Sequence, residues 1–557
     1  MKELAVNGNS DNVRLSAEDI AKLMKEISIA EFFEKNRHLL GYENSTKALL
    51  TIVKEAVDNS LDACDEAGIL SEIKVDVKQI GVDRFKISVE DNGPGVVESK
   101  VAYAFGKMLF GSKFHRLKQS RGTQGIGVSG AILYSQLTTG KSTKVTSSTG
   151  DNKIHELELM IDTVKNEPNI VSHLSSSNKT GWHGIKIELE AEGTYAERAQ
   201  SIPEYLKQTA IANPYTHIVY NGPNGVLKFE RTTNVMPRQP KEIKPHPYGI
   251  ELGILRRMLA TTRTQNLKAF LAREFSRVGA RSAEQILRLA KLESKRKPNS
   301  LDGLEAERLH KSMQMVKLVA PPTDCLSPLT DQLIENGLKK EINAEYFAVV
   351  SRPPTVYRGN PFQVEVGLAY GGSLNPNSVA ELYRFANKVP LLYHQSSCAI
   401  TKSVEEVDWR RYGLQQSANS LPVGPLVILV HFASVWVPFT SEGKQAIATY
   451  PEIIKEVKLA LQDAGRELSR FINQQKRSRE RQMRRQLFER YIPEVAGALN
   501  KLTDKDKNTI IKKLEDIIKS GKVSLESLES EKEKEKIAED SNKGRTEAVK
   551  EKTEGEE

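Results

Sequence analysis

Residues 121–130, RGTQGIGVSG, run into the apolar AILYSQL and restrict the fold more than any other part of the 557-residue chain. Gly122, Gly125, Gly127 and Gly130 let backbone N–H groups come close to a ligand, and a helix starting there favours negative charge. Such a loop suits a polyphosphate. Two familiar phosphate-binding patterns are excluded. Gly125-Ile126-Gly127-Val128-Ser129-Gly130 has the dinucleotide spacing, but the preceding LKQSR is polar where that motif needs a buried strand. Gly140-Lys141-Ser142 looks like the end of a P-loop, yet the position of its first glycine holds Ser135.

A second element lies upstream. Residues 51–68 carry Ile52, Val53, Ala56, Val57, Leu61 and Ala63 at helical spacing, so one side of the predicted helix is core. Glu55 and Asn59 are one turn apart and share a face, flanked by Asp58 and Asp62. A carboxylate one turn before an amide suits water activation beside a metal ligand; a solvated acidic face is the alternative. The predicted strand FKISVE runs into Asp91-Asn92-Gly93-Pro94-Gly95-Val96, whose turn leaves a carboxylate at a strand end. Asp91 could accept from an exocyclic amine such as that of adenine, or simply form an Asp-Asn-Gly turn. Residues 105–120 are mixed basic and apolar, as in a mobile loop. IKVDVKQI, HELELMID and GIKIELEAE read as strands, and Thr180-Gly181 precedes the last.

Taken in order, Glu55…Asn59, Asp91-x-Gly93-x-Gly95, the loop 122–130 and Thr180-Gly181 resemble the GHKL ATPases, which share the Bergerat α/β sandwich. The resemblance implies that Glu55 polarises the attacking water and that Asn59 ligates Mg²⁺ on the phosphates of ATP. It implies that Asp91 reads the adenine amine with Gly95 in its turn and Thr180 in support. Arg121, Gly122, Thr123, Gln124, Gly125, Ile126 and Gly127 would wrap the phosphates, with Ser112 and Lys113 in the lid as further contacts.

Length alone predicts three or four domains at roughly 150 residues each. No apolar run approaches the roughly 20 residues that span a bilayer, and the N-terminus has no apolar signal core, which predicts a cytoplasmic, non-membrane protein. Cys64, Cys325 and Cys398 are too few and too scattered for a disulfide framework or a zinc site. The net charge of +9 suggests an anionic partner, with nucleic acid the first candidate.

In the second half, residues 246–323 are helical and basic, with Leu252, Leu255, Leu259, Leu267, Phe270, Leu271 and Phe275 as a core pattern and Ser282 placed to cap a helix. EYFAVVSRPP, FQVEVGLAYGG and GPLVILVHFASVWVPF read as strands, VAELYRFANKVPLLY as a helix running into a turn. A long helix starts at Pro451 and is predicted to stop at Pro493. The helical insert, RGNPFQVEVGLAYGG, RFANKVPLLY and VPFTSEGKQAIA resemble the B subunits of topoisomerase VI over roughly residues 27–490. The expected fold is α+β and multidomain: an arm (1–26), a GHKL ATPase domain (27–245), a helix–two-turn–helix domain (246–323), a transducer (324–490), and a C-terminal helix with a disordered tail (491–557).

From that resemblance, Lys444 is the lysine that a transducer sends to the γ-phosphate; no spacing rule would single it out. The implied partners are a second copy of this chain joined on ATP binding, two A subunits in a two-A, two-B assembly, and double-stranded DNA. The only Asp-x-Asp, Asp504-Lys505-Asp506, is polar and opens a helix, so DNA cutting is expected on another chain. The rival readings are a mismatch-repair ATPase or chaperone of the same superfamily, and a nucleotide-gated DNA-binding module without turnover.

Overall fold

The computed structural model describes residues 16–519 apart from 25–26, 114–115, 123–124, 198–199, 442 and 504. The first residues of the arm and the tail beyond 519, both predicted to be flexible, lie outside the described residues, as do the side chains of Ile29, Leu39 and Leu40. The chain divides between Ser469 and Arg470 into two compact units.

The first unit holds an eight-stranded sheet built from β1 (Glu72–Gln79), β2 (Arg84–Asp91), β3 (Thr143–Thr149), β4 (Lys153–Asp162), β5 (Glu167–Ser177), β6 (His183–Glu192), β7 (His217–Gly222) and β8 (Gly225–Phe229). Their spatial order is β5-β4-β3-β6-β2-β1-β7-β8, with β1 and β7 parallel. Strict alternation, as in β4, turns Leu157, Leu159 and Ile161 to one face. Helices Ser45–Ala67, Glu98–Gly106, Gly127–Thr139 and Ile202–Ala212 contribute Val53, Leu61, Val101, Leu133 and Leu206 to the core they share with the sheet. The first of these helices begins earlier than its apolar pattern suggested, because the Asn44 side chain accepts the Lys47 N–H at 2.8 Å and caps it. It ends at Gly68, whose φ of 70° returns the N–H groups of Gly68 and Ile69 to the last turn.

Helices Leu252–Thr261, Leu267–Glu274, Ala280–Ala290 and Gly303–Met315 surround a core of their own, with Leu255, Phe270, Ile286 and Leu309 fully buried. Ser282 is not a cap; the third helix starts directly after Gly279, whose extended backbone breaks the preceding chain.

A second sheet comprises β9 (Tyr346–Ser351), β10 (Thr355–Tyr357), β11 (Asn360–Tyr370), β12 (Glu381–Ala386), β13 (Val389–Pro390) and β14 (Leu426–Ser434), ordered β10-β11-β14-β12-β13 with β9 also on β11. The predicted helix over VAELYRFANKVPLLY is therefore wrong. Asn387 and Lys388 take φ values of 48° and 69°, a two-residue hairpin turn that returns Val389 to Ala386. Tertiary pairing of β12 with β14 overrides the local helical preference.

Helix Pro451–Thr503 begins in the first unit, where Ile453, Val457, Leu461, Ala464 and Leu468 form a buried seam. It does not stop at Pro493: that residue is exposed, so the carbonyl that loses its partner can face water. In the second unit, Asp506 caps helix Lys507–Lys519 by accepting from the Thr509 N–H at 2.9 Å. This agrees with a helix-opening role rather than a cleavage site; Asp504 lies outside the described residues. No helix among the described residues is long and apolar enough to cross a membrane.

Candidate functional site

The Ser45–Ala67 helix floors a cleft roofed by residues 110–113, the glycine loop and residues 443–445. Glu55, Asn59, Asp91, Ser112, Lys113, Gly122, Gly125, Ile126, Gly127 and Lys444 all line it. The structure thus gathers residues more than 300 positions apart. Thr123 and Gln124 lie outside the described residues.

At one end, Asp91 is buried at the close of β2. Its carboxylate accepts from Ser60 Oγ at 2.6 Å, the Gly93 N–H at 2.9 Å and the Ile185 N–H at 3.1 Å. Burial raises its pKa from the ordinary aspartate value, against the pull of these three donors. Gly95 has a φ of 69°, and a Cβ there would lie 2.0 Å from the Ser148 carbonyl oxygen. It shapes the turn that brings Val96 to the cleft wall. Thr180 is not beside Asp91. It is exposed and bonds Asn178 at 3.3 Å, because the turn 179–183 carries it away from the sheet. The segment that meets Asp91 is Gly184-Ile185, where a Cβ on Gly184 would strike the Asp91 carbonyl at 2.0 Å.

At the other end, Glu55 lies beside Lys54 Nζ at 3.3 Å, and Lys54 also holds Asp58 at 2.9 Å. Burial raises the Glu55 pKa, but the Lys54 and Lys444 cations outweigh it and hold the carboxyl below its usual range. Gly127 opens its helix against this carboxylate: a Cβ there would sit 2.0 Å from Glu55 Oε2. Glycine there lets the helix N-terminus meet the Glu55 carboxylate without displacing it. Lys444 adopts a φ of 52° and donates to the Arg121 carbonyl at 3.1 Å. Burial lowers its pKa, with Glu55 opposing.

Arg121, expected on the phosphates, turns its side chain away from the cleft. Its guanidinium is buried between Asp62 at 3.1 Å, Asp65 at 2.8 Å and Asn213 at 2.6 Å. A fully desolvated guanidinium needs such fixed acceptors, and two carboxylates one turn apart supply them. Asp62 also accepts from Lys113 at 2.7 Å and from the Gly122 N–H at 3.2 Å. Residue 62 thus ties lid and loop to the helix. Its spacing from Glu55 and Asn59 (i, i+4, i+7) put it on their face, the signal that could have assigned it.

Lys388, in the β12–β13 turn, completes this cluster by reaching Asp65 at 3.2 Å, while its N–H donates to His431 Nε2 at 3.0 Å. His431 in turn meets the buried Glu365 at 2.7 Å. Lys388→Met should lower unfolding stability by about 1.5 kcal/mol, the low end for one hydrogen bond to a charged group, because Asp65 keeps Arg121 at 2.8 Å as its partner. Chemical denaturation would measure it; an unchanged midpoint would mean that the contact is not formed.

A glycine loop at a helix start, a floor carboxylate and a buried aspartate at a strand end of a mixed sheet are the features of an ATPase of the gyrase and heat-shock chaperone type. Accordingly, the family described as histidine kinase-, DNA gyrase B-, and HSP90-like ATPase matches residues 44–162, and that described as topoisomerase VI B subunit, transducer, matches residues 321–484. The B subunit of type 2 DNA topoisomerase 6 from Methanosarcina barkeri is 47% identical over 496 residues, 88% of this chain and 79% of that protein. Its counterpart of the same name from Archaeoglobus fulgidus is 46% identical over 86% and 80%, and that from Pyrococcus furiosus 40% identical over 89% and 94%. The chain belongs to the family of B subunits of type 2 DNA topoisomerase 6, and is an ATP-binding and ATP-hydrolysing topoisomerase subunit.

Proposed function

We propose that ATP bound in this cleft joins two copies of the chain, and that the resulting movement gates passage of one DNA duplex through another cut by a partner A subunit. The observation that carries the reading is Lys444: a residue from the second-sheet region reaches into a cleft built on the first sheet, beside Glu55. A nucleotide whose terminal phosphate met both would favour one arrangement of the two regions, a population shift driven by differential contact. For the domain division we keep 26, 245, 323 and 490: the self-contained core of the helical insert supports the middle two bounds, while the second-sheet core shares Ile211 and Ala212 with the first-sheet region.

In the proposed cycle, Asp91 accepts from the adenine amine, while Gly122, Gly125 and Gly127 offer backbone N–H groups and a helix start to the phosphates. Lys113 exchanges its Asp62 contact for phosphate oxygen. Glu55, kept ionised by Lys54, orients the attacking water and accepts its proton, and Lys444 offsets charge developing on the terminal phosphoryl group. Asn59 fits Mg²⁺: its amide oxygen is a hard donor facing Gly122 across the cleft, 3.6 Å from where a Cβ would stand. Bound there with the phosphates, Mg²⁺ would neutralise phosphate charge.

For the assembly we infer two A and two B chains acting on double-stranded DNA in the cytoplasm. Ile20, Leu23, Met24 and Phe32 are exposed near the start of the chain and suit a contact with the second copy. The basic run 476–490 suits DNA or the A subunit. The test is relaxation of supercoiled DNA by this chain with a candidate A subunit. Relaxation should require both chains and ATP; activity without an A subunit would refute the division of labour. Asp91→Asn should weaken ATP binding roughly 10- to 150-fold, the worth of a hydrogen bond to a charged group at about 1.5–3 kcal/mol. Calorimetric titration would show it, and unchanged affinity would remove Asp91 from base recognition.

A further inference from the structure

Away from the cleft, the described residues bring one other set of metal-ligating side chains together: Glu98, His155 and His173, whose ligand atoms all lie within 4.8 Å of one another. They come from three elements. Glu98 opens helix Glu98–Gly106, His155 sits in β4 and His173 in β5. In the antiparallel pair, His155 faces Ser175 and His173 faces Leu157, so the two imidazoles are diagonal neighbours with ring centres 5.9 Å apart. Glu98 spans them, with Oε2 3.8 Å from His155 Nε2 and Oε1 3.5 Å from His173 Nε2.

The surroundings favour an ion over a plain polar contact. His155 is buried, in the same inward row as Leu157, Leu159 and Ile161, where an aliphatic side chain would pack without polar cost. Its Nδ1 lies 3.0 Å from Ser175 Oγ, an outer contact that fixes the ring with Nε2 toward Glu98. Metal-binding imidazoles are oriented in this way. His173 and Glu98 are partly open to solvent, which gives an ion a way in and leaves room for water.

We propose that Glu98, His155 and His173 form a zinc site. A tetrahedral ion with bonds of about 2.0–2.2 Å holds its ligand atoms about 3.3–3.6 Å apart. The separations here need only small rotations of the two open side chains. Two imidazoles and one carboxylate, with water as the fourth ligand, suit Zn²⁺, whereas Mg²⁺ prefers an all-oxygen shell. The site is thus chemically distinct from the one proposed at Asn59, and none of its residues lines the cleft. Its position gives it a purpose. Helix Glu98–Gly106 leads directly into the lid, and its far end is already fastened to the β4–β5 turn: Asn166 exchanges hydrogen bonds with Met108 at 3.0 and 3.1 Å, and Lys107 pairs with Glu167. Zinc would fasten the near end to the same hairpin, so that the lid springs from a helix clamped at both ends.

The test uses the full chain without a histidine tag, free of nucleotide, titrated with Zn²⁺ against a chromophoric chelator. One Zn²⁺ per chain should bind and resist millimolar Mg²⁺, and that site should be lost in the Glu98→Gln/His173→Gln double variant. Both positions are partly exposed, so the metal-free variant should melt where the metal-free wild type does. Zn²⁺ should raise the wild-type melting temperature and slow hydrogen exchange over residues 98–108 and 153–177, and should do neither in the double variant. No binding by the wild type, or equal stoichiometry in the double variant, would overturn the site. Neither result touches the reading of the ATP cleft, because Mg²⁺-dependent ATP hydrolysis is measured separately on zinc-free protein.

Discussion

Glu55→Ala should retain ATP binding and lose hydrolysis by about 100- to 10,000-fold, the range supplied by a positioned proton acceptor. The expectation follows from what surrounds the carboxylate. Lys54 at 3.3 Å and the nearby Lys444 keep Glu55 ionised, so it can hold water by accepting a hydrogen bond. It stands at the N-terminus of helix Gly127–Thr139, where phosphates are best received. Binding should persist because the proposed adenine acceptor Asp91 and the loop N–H groups are untouched, and Lys54 keeps Asp58 at 2.9 Å as its partner. Single-turnover hydrolysis alongside nucleotide titration separates the two quantities. A variant that turned over at the parental rate would leave Glu55 a mere neighbour of the loop.

Lys444→Ala should likewise bind ATP but slow its turnover by about 100- to 1000-fold, comparable to losing one donor to developing charge in a water-poor site. Here the effect should extend further. Lys444 is fixed by the Arg121 carbonyl at 3.1 Å, and the Arg121 side chain is itself locked to Asp62 and Asp65. Asp65 is held in turn by Lys388 of the β12–β13 turn. The glycine loop is therefore tied to the second-sheet region at two points, and only Lys444 is proposed to touch nucleotide. DNA relaxation should fall at least as far as hydrolysis in the Lys444 variant. A wild-type rate for both would take Lys444 out of the mechanism.

Much of the cleft was legible in local order. The helical spacing of Glu55 and Asn59, the turn that strands Asp91 at a strand end and the glycines of the loop each encode a backbone conformation that short-range sterics dictate. The residues misassigned are those whose role is settled by what they pack against. Arg121 opens the glycine-loop pattern, yet two carboxylates from the floor helix and Asn213 draw its side chain inward. Thr180 has the right chemistry but stands too early in the turn, and the backbone of Ile185 takes the place. RFANKVPLLY has a helical composition, but the parallel partner offered by β14 makes it a strand.

By itself, then, the chain's order of residues determined which local pieces could form and which of them could receive a polyphosphate, because capping, turn chemistry and apolar period act over a few residues. Tertiary structure alone decided that Lys444 stands beside Glu55, that Asp62 and Asp65 hold Arg121, and that two histidines and a glutamate converge at the base of the lid. Each of these is a meeting of groups far apart in sequence, and burial, which sets both their charge and their partners, exists only after the sheets and helices have packed.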